Sequence, residues 1–410
     1  MMTRDNRQWG RRWALGAVAL ALACLAGCSK GPSVSIQSLI DAADPGATIE
    51  VPAGTYRENL SIAKTLTLIG LTDGDDAVEI VGTEANTPAI AIDGDGDTTV
   101  ELRSIAVTRS YGAGIDVTGD ATATLRSISV DDAVASGLNA RSGAQVHATD
   151  CTFSNSYRNG ATVSGNAELT AEQCDFLSNA AAGLGIVTTR SVLLEACNVR
   201  DNGENGITVG GGTDATFRSV RLEDNGGGEP TSADFVTLAT AIMSQADAGL
   251  WMRDDAAVLL ENCSIRTSAA TGIIAFDDAS ITIRGGEVSD NGEVGLQLLS
   301  DGTHTLEDVD IRGNGGMGIL LARDPLVHVD RCTIAENNFG GVAVFATACY
   351  GLDAAQSYYL FTGRIDGSDN VIPGPNEPDG NLEFDCCPST RCRLLTRWTE
   401  ESTDANADDP

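Results

Sequence analysis

Glycine recurs at a fixed step along most of this chain. Two runs of five glycines each keep a spacing of 23 residues: Gly114, Gly137, Gly160, Gly183 and Gly206, then Gly249, Gly272, Gly295, Gly318 and Gly341. The interval between the runs is 43 residues, which is one period and 20 additional residues. A period of this length is typical of repeat architectures, whose units bury their apolar faces only by stacking on one another.

Each repeat contains alternating apolar and polar residues, which is the pattern of strands with one buried face. The residue 14 positions after each glycine is Ile128, Cys151, Cys174, Cys197, Val220, Cys263, Gly286, Val309 or Cys332, and two positions later stands Val130, Phe153, Phe176, Val199, Leu222, Ile265, Val288, Ile311 or Ile334. Before the next glycine comes Asn179, Asn202, Asn225, Asn291, Asn314 or Asn337. Because Asn tolerates the left-handed backbone region, we expect this column to form the sharp turns.

Three short strands and no helix fit into one repeat. Stacking the columns in register places parallel strands about 4.8 Å apart. The sequence therefore predicts an all-β, single-domain right-handed parallel β-helix of about a dozen coils over residues 73–345. The additional residues predict a loop insertion at 226–248.

The repeat region resembles the right-handed parallel β-helix (pectin-lyase-like) superfamily in its Asn-x-x-x-Gly-Ile rhythm, and so does the stretch from Ser35 to Asn59 with its motif Gly-Thr-Tyr-Arg-Glu at 54–58. The resemblance implies an N-terminal capping helix and first coil at 35–72. It does not specify an activity, because this fold carries lyases, hydrolases, esterases, epimerases and binding proteins.

The N-terminus has the pattern of a secretory signal, with four arginines before an apolar run from Trp13 to Leu25. The sequence Leu-Ala-Gly-Cys at 25–28 resembles a bacterial lipoprotein signal. That resemblance implies that 1–27 is removed, that Cys28 is lipidated and that 28–34 tethers the chain to a membrane. Ser29 is similar to the sorting signal for the outer membrane.

The chain is strongly acidic, with 26 basic residues, 58 acidic residues and a net charge of −32. Nucleic acids and polyuronate-type sugars are therefore poor partners, the latter unless a divalent cation bridges the two surfaces. We expect a monomer whose partners are a membrane, through Cys28, and a polysaccharide or an envelope protein.

The cysteines fall into separate groups. Those in the inward column are expected to be small buried hydrophobes. The remaining candidates for disulfides are Cys349, Cys386, Cys387 and Cys392, which would lock a C-terminal cap at 346–395. We expect a strand over Ser357–Ile365 and a disordered acidic tail at 396–410.

The outward columns change at the second run of glycines, where polar residues are replaced by Trp251, Ile274 and Phe276, with Arg253 beside them. A contiguous apolar surface of this size is covered or functional. Two interpretations follow: the 226–248 insertion and the 350–361 segment pack over this face, or the four residues form a groove that binds a ligand.

Four turn aspartates accompany that face: Asp255, Asp278, Asp301 and Asp324. Stacked carboxylates separate into solvent or share a cation, so they are candidates for Ca²⁺ binding, and Asp255 and Asp278 are candidates for a catalytic carboxylate pair. The aspartates at 93, 95 and 97 form a second candidate Ca²⁺ site. The sequence supplies no other cofactor pattern.

Motifs of the enzymes in this superfamily are missing. Gly-His-Gly and Asp-Pro-His do not occur, and His147 and His328 are expected on the outside while His304 faces inward as a structural residue. We therefore predict a non-catalytic surface lipoprotein that binds carbohydrate or a partner protein. The alternatives are a polysaccharide lyase or glycoside hydrolase acting in the coils from Gly249 onward, and a purely structural envelope protein.

Overall fold

The computed structural model describes residues 34–74, 76–227, 247–344, 361–373 and 392–396. One helix, Ile36–Ala42, closes the N-terminal end, and its buried Ile36 and Ile40 belong to the main core. Its first turn is capped twice: Ser35 accepts from the Ser38 amide, and the Glu58 carboxylate accepts from the amides of Ile36 and Gln37. The helix that the resemblance implied is present at Ile36–Ala42, and hydrogen bonds of Glu58, Gln37 and Lys64 join it to the first coil.

A twelve-stranded parallel sheet contains one strand from each of twelve successive coils. Its strands are Leu60–Ile62, Ile90–Gly94, Ile115–Gly119, Leu138–Ala140, Ala161–Gly165, Leu184–Thr188, Ile207–Gly210, Leu250–Met252, Ile273–Asp277, Leu296–Ser300, Met317–Leu321 and Gly340–Val344. Most strands of this sheet begin directly after one of the repeated glycines. The candidate ligand-binding residues Trp251, Ile274 and Phe276 lie on its outer face.

The other strands form a twenty-two-stranded sheet that bends along its length. They are Ala47–Val51, Gly54–Arg57, Leu66–Gly70, Val78–Val81, Thr99–Val107, Thr122–Asp131, Gln145–Thr149, Thr152–Ser154, Glu168–Glu172, Asp175–Leu177, Val192–Glu195, Asn198–Arg200, Asp214–Arg218, Arg221–Glu223, Ala257–Arg266, Ser280–Ser289, Thr303–Glu307, Asp310–Arg312, Leu326–Asp330, Thr333–Ala335, Arg364–Asn370 and Cys392–Thr396. At the bend the coils have residues with a positive φ, for example Asp150 and Asn262.

Neighbouring coils stack in register. Leu138 pairs with Ala161 across the usual step, and Thr208 pairs with Trp251 across the longer one, so the insertion leaves the register intact. The inward columns form one continuous core, in which Phe153 and Phe176 stack at 5.4 Å. The column cysteines are buried free thiols, as predicted, and burial raises the pKa of Cys263 to about 11. The predicted parallel β-helix of about twelve coils is confirmed.

The asparagine column is buried rather than being the residue of the sharp turn. A positive φ occurs one residue earlier, as at Asp201 (φ 58°). The Oδ1 of Asn202 accepts from the amide and from the Nδ2 of Asn179, both at 3.0 Å, and its own Nδ2 donates to Asn225 at 2.9 Å. The expectation of a left-handed Asn turn was wrong, because the amide side chain satisfies buried polar groups of the neighbouring coil.

This ladder also explains the glycines. A Cβ at Gly183 would lie 2.8 Å from the carbonyl oxygen of Gly206 and 2.9 Å from Asn202 Nδ2. Both contacts are closer than a side-chain carbon allows. The glycine column is therefore required by close packing between coils.

The C-terminal boundaries differ from the prediction. Of the strand expected at Ser357–Ile365, residues 357–360 lie outside the described residues and 361–363 are not in a strand. A strand spans Arg364–Asn370, where it pairs with Leu326–Asp330, and Cys392–Thr396 adds a further strand. The stack thus continues beyond residue 345 into the expected cap. The predicted signal, tether, insertion core, disulfide partners and tail lie outside the described residues, apart from residue 34 of the tether and the backbone of Cys392 and Thr396. Within the described part of the chain, no helix is long and apolar enough to cross a membrane.

Candidate functional site

The outward face of the twelve-stranded sheet from Leu250 to Val344, here called the second outer face, is buried. Trp251 is 8% exposed, and Ile274 and Leu320 are buried more deeply. These residues form two apolar clusters separate from the main core. Trp251 and Ile274 are thus unavailable for stacking on a ligand, which favours the covered interpretation over the open groove. Residues 228–246 and 345–360, to which that interpretation assigned the cover, lie outside the described residues.

Around the edge of this face Arg253 remains accessible. Its guanidinium lies 5.3 Å from the Trp251 ring centroid, and Phe276 is half-buried with its ring 6.2 Å from that of Trp251. The Trp251 Nε1 and the Gln297 Nε2 are buried and have no hydrogen-bond partner among the described residues. The structure brings the four predicted ligand-binding residues together, but as a packed apolar cluster with a cation at its margin.

The four turn aspartates are all exposed, and they do not form a metal site. Arg323, which is largely buried, donates to the Asp301 carboxylate at 2.6 Å and lies 3.7 Å from that of Asp277. Thr362 donates to Asp324 at 3.1 Å. No group of three or more metal-binding side chains occurs among the described residues. The Ca²⁺ prediction therefore does not fit this geometry.

A catalytic carboxylate pair also lacks its environment. A general acid at neutral pH needs an apolar enclosure that raises its pKa, whereas Asp255 and Asp278 are exposed to solvent. The second Ca²⁺ candidate is a turn, in which the Asp95 carboxylate accepts from the Asp97 amide and the Thr98 hydroxyl.

The histidines are structural or superficial. His304 is buried, its Nε2 lies 2.7 Å from the Ser300 hydroxyl, and burial lowers its pKa to about 4. His328 is exposed and bonds to Asp366 and Asp330, and the hydrogen bond to Asp366 is the main cause of its raised pKa. His147 is exposed, as predicted.

An exposed apolar column that the sequence reasoning missed lies on the first coils. Three residues before the glycines stand Tyr111, Val134 and Tyr157, which are 43%, 48% and 70% exposed. They sit on consecutive coils, since the Val134 amide donates to the Ser110 carbonyl and the Tyr157 amide to the Ala133 carbonyl. We call these three residues the tyrosine stripe.

Later coils hold only small or polar residues at the position whose amide bonds to the preceding coil in the same way: Ala180, Gly203, Gly226, Ala269, Gly292, Gly315 and Asn338. At Gly203 a Cβ would lie 2.5 Å from the Ala180 carbonyl oxygen, so the turns of these coils pack closely. The sequence signal for the stripe was the presence of large apolar residues three positions before Gly114, Gly137 and Gly160.

Beside the stripe lies the outward face of strands Ile115–Gly119 to Ile207–Gly210, here called the first outer face. It is polar, with Asp116, Asn139, Thr162 and Thr208 in its central column. Arg141 donates through Nε and Nη2 to the two oxygens of Asp116, at 3.0 and 2.8 Å. This fork is charge-assisted and geometrically fixed, and half of the arginine stays accessible.

The turn that carries Tyr157 is hydrogen-bonded to the first outer face. Asn159, two residues after Tyr157, donates from Nδ2 to the Thr162 hydroxyl at 3.1 Å and accepts from the Ala182 amide. The Thr162 hydroxyl also lies 2.8 Å from that of Ser136. Exposed rings therefore border a row of hydroxyl, amide and guanidinium groups that is held by its own hydrogen bonds.

The similarity of this chain to known proteins concerns its β-helix fold. The sequence model of the family described as "Right handed beta helix region" matches residues 88–229 and 231–353, which is more than half of the chain. No curated protein matches the sequence significantly.

Two solved structures share the fold at low sequence identity. The periplasmic alginate epimerase AlgG is 13% identical with a TM-score of 0.54, covering 89% of this chain and 82% of its own. The A-module of the mannuronan C-5 epimerase AlgE4 from Azotobacter vinelandii is 14% identical with a TM-score of 0.52, covering 85% of this chain and 94% of its own. At such identity the likeness shows the fold alone.

Proposed function

Because this chain belongs to the right-handed β-helix family, we propose that it is a non-catalytic carbohydrate-binding protein of the cell surface. Its binding surface is the tyrosine stripe with the first outer face, and it acts as a monomer. The single observation that carries this proposal is the exposure of Tyr111 and Tyr157 in one column beside a polar sheet face.

Carbohydrate fits this surface chemically. A sugar ring presents C–H groups on its faces and hydroxyls around its edge. The apolar faces of exposed tyrosines pack against the former, and the amide of Asn139 and the guanidinium of Arg141 serve the latter. The solved neighbours support a carbohydrate ligand by analogy, since both are named as epimerases of polysaccharides.

The absence of catalysis rests on the candidate residues. Asp255 and Asp278 lack an enclosed environment, the described histidines do not form a dyad with a nucleophile in a cleft, and the sequence lacks the Asp-Pro-His motif of alginate epimerases. An enzymatic role remains the second candidate through the shared fold.

A glycan array tests the proposal. The chain carrying Cys28→Ser, which blocks lipidation without removing a residue, should bind at least one glycan, and Tyr157→Ala should weaken that binding. Leu326→Ala is the matched control, because Leu326 is 55% exposed at the opposite end of the solenoid. Absence of binding to every glycan, or equal loss in the control, contradicts the proposal. Release of shorter or altered products from a bound glycan favours the enzyme.

The membrane anchor is a separate part of the proposal. Export and lipidation at Cys28 place the solenoid at the outer membrane, tethered by residues 28–34. Metabolic labelling with a fatty-acid analogue should mark the chain, and Cys28→Ser should remove the label. A label that persists in this variant contradicts the anchor.

A further inference from the structure

The tyrosine stripe has a defined repeat along the solenoid axis. Its members lie on consecutive coils, and coils of a parallel stack are about 4.8 Å apart. Tyr111 and Tyr157 are therefore separated by about twice that distance, with Val134 between them. A pyranose ring in an extended, unbranched glycan advances by a similar step, so successive rings meet successive coils.

The stripe is limited to three coils. Ala180, in the next coil, is exposed but has no ring to offer, and Gly203 follows it. The polar groups lie beside the middle of the stripe: Arg141 and Asn139 belong to the coil of Val134. The surface thus matches three rings with apolar contacts at both ends and hydrogen bonds at the centre.

Charge decides between classes of glycan. The chain has a net charge of −32, and Arg141, the one cation of the first outer face, is already bound by both oxygens of Asp116. Arg158, exposed next to Tyr157, is a second cation of the binding surface. A polyuronate or sulfated glycan would meet repulsion from this net charge, which the exposed Arg158 offsets only in part. Neutral sugars need only the N–H groups that Arg141 still presents to solvent.

We infer that the ligand is an uncharged, unbranched glycan in an extended conformation, lying along the solenoid axis with one sugar ring per coil from Tyr111 to Tyr157. This inference rests on the proposed function and specifies its ligand class. It requires affinity to depend on the number of rings and on both tyrosines.

Calorimetry with oligosaccharides of defined length tests this. The probes are cello-, manno- and chito-oligosaccharides of two to six rings, with oligogalacturonates of equal length as charged counterparts. In at least one neutral series the affinity should rise up to three rings and then level. Tyr111→Ala and Tyr157→Ala should each weaken the binding of longer oligomers by about 2- to 10-fold, and Leu326→Ala should not.

A gain-of-contact variant sharpens the test. Ala180→Tyr adds a ring to the next coil, so the affinity should continue to rise up to four rings. Binding that does not depend on length, failure of all three neutral series, or preference for oligogalacturonate would overturn the inference. Each of these results leaves carbohydrate binding intact if the array shows a ligand, whereas an array without any ligand rejects the proposed function itself.

Discussion

The two halves of this solenoid have the same interior and opposite exteriors. In both, buried aliphatic columns, an asparagine ladder and a glycine column repeat with the same register. On the twelve-stranded sheet, however, the first outer face carries Asn139 and Thr162 partly open to solvent, whereas the second carries Leu299 and Leu320 fully buried. The change coincides with the 20 additional residues between Gly206 and Gly249.

This difference shows that inner and outer columns are independent in such a fold. Because side chains alternate across a strand, the outward residues can change without disturbing the core. The outward residues of the second half form a buried apolar surface. Those of the first half expose aromatic rings and polar groups. Binding is therefore expected on the first half, because the site predicted on the second half is buried.

The largest effect is expected from exchanging residues between the two faces. Leu320→Asn places an unpaired amide in a buried apolar cluster and should lower the free energy of unfolding by about 3–5 kcal/mol. Asn139→Leu, at the equivalent position of the first face, should change it by less than about 1 kcal/mol. Denaturant unfolding measures both, and equal effects would break the comparison.

The asparagine ladder should matter equally in both halves. Asn202→Ala leaves the amide and the Nδ2 of Asn179 without their acceptor, and Asn314→Ala does the same to Asn291. Each should cost about 2–4 kcal/mol in unfolding free energy. Asn139→Ala is the control. A much smaller loss in one half would show that the interiors differ as well.

The ladder is interrupted between the halves, where Ser268 replaces the asparagine and its buried hydroxyl has no partner in the part of the chain that the structure describes. Ser268→Asn should join the two ladders, because Gly249 beside it leaves the space that Asn occupies in other coils. Thermal unfolding should show a gain of about 1 kcal/mol. Destabilisation would mean that the coils on either side of the insertion pack differently from the other coils and leave no room for the asparagine side chain.

The smallest effect concerns pH. The pKa of His328 is raised by Asp366, so its protonated form stabilises the folded state below about pH 6.5, and this contribution is lost as the pH rises through the raised value. The effect should stay under about 1 kcal/mol, because His328 is half-exposed. His328→Gln should remove this part of the stability difference between pH 6 and pH 8, while His147→Gln should not. An unchanged profile in the first variant rejects the assignment.

Much of the fold could be predicted because it depends on which residue types recur at equivalent positions of the repeat. Inward columns, buried cysteines and the position of the insertion follow from periodicity and side-chain type, whereas the short helix was implied by the family resemblance. The role of the asparagines could not be derived in this way, because propensity for turns competes with hydrogen bonding between coils. The pairing of Arg323 with Asp301 depends on a side-chain conformation that no pattern encodes. The tyrosine stripe could have been predicted, because its three residues all lie three positions before a glycine of the repeat.

Hydroxyl-radical footprinting with mass spectrometry tests the contrast between the halves most directly. Tyr157 and Tyr111 are accessible in the structure, while Trp251 is buried. Although tryptophan is the more reactive side chain in the free state, we predict faster oxidation of both tyrosines than of Trp251 in the folded chain. Oxidation of Trp251 at the rate of Tyr157, with protection restored only by an added oligosaccharide, would place the open binding surface on the second half and contradict this account.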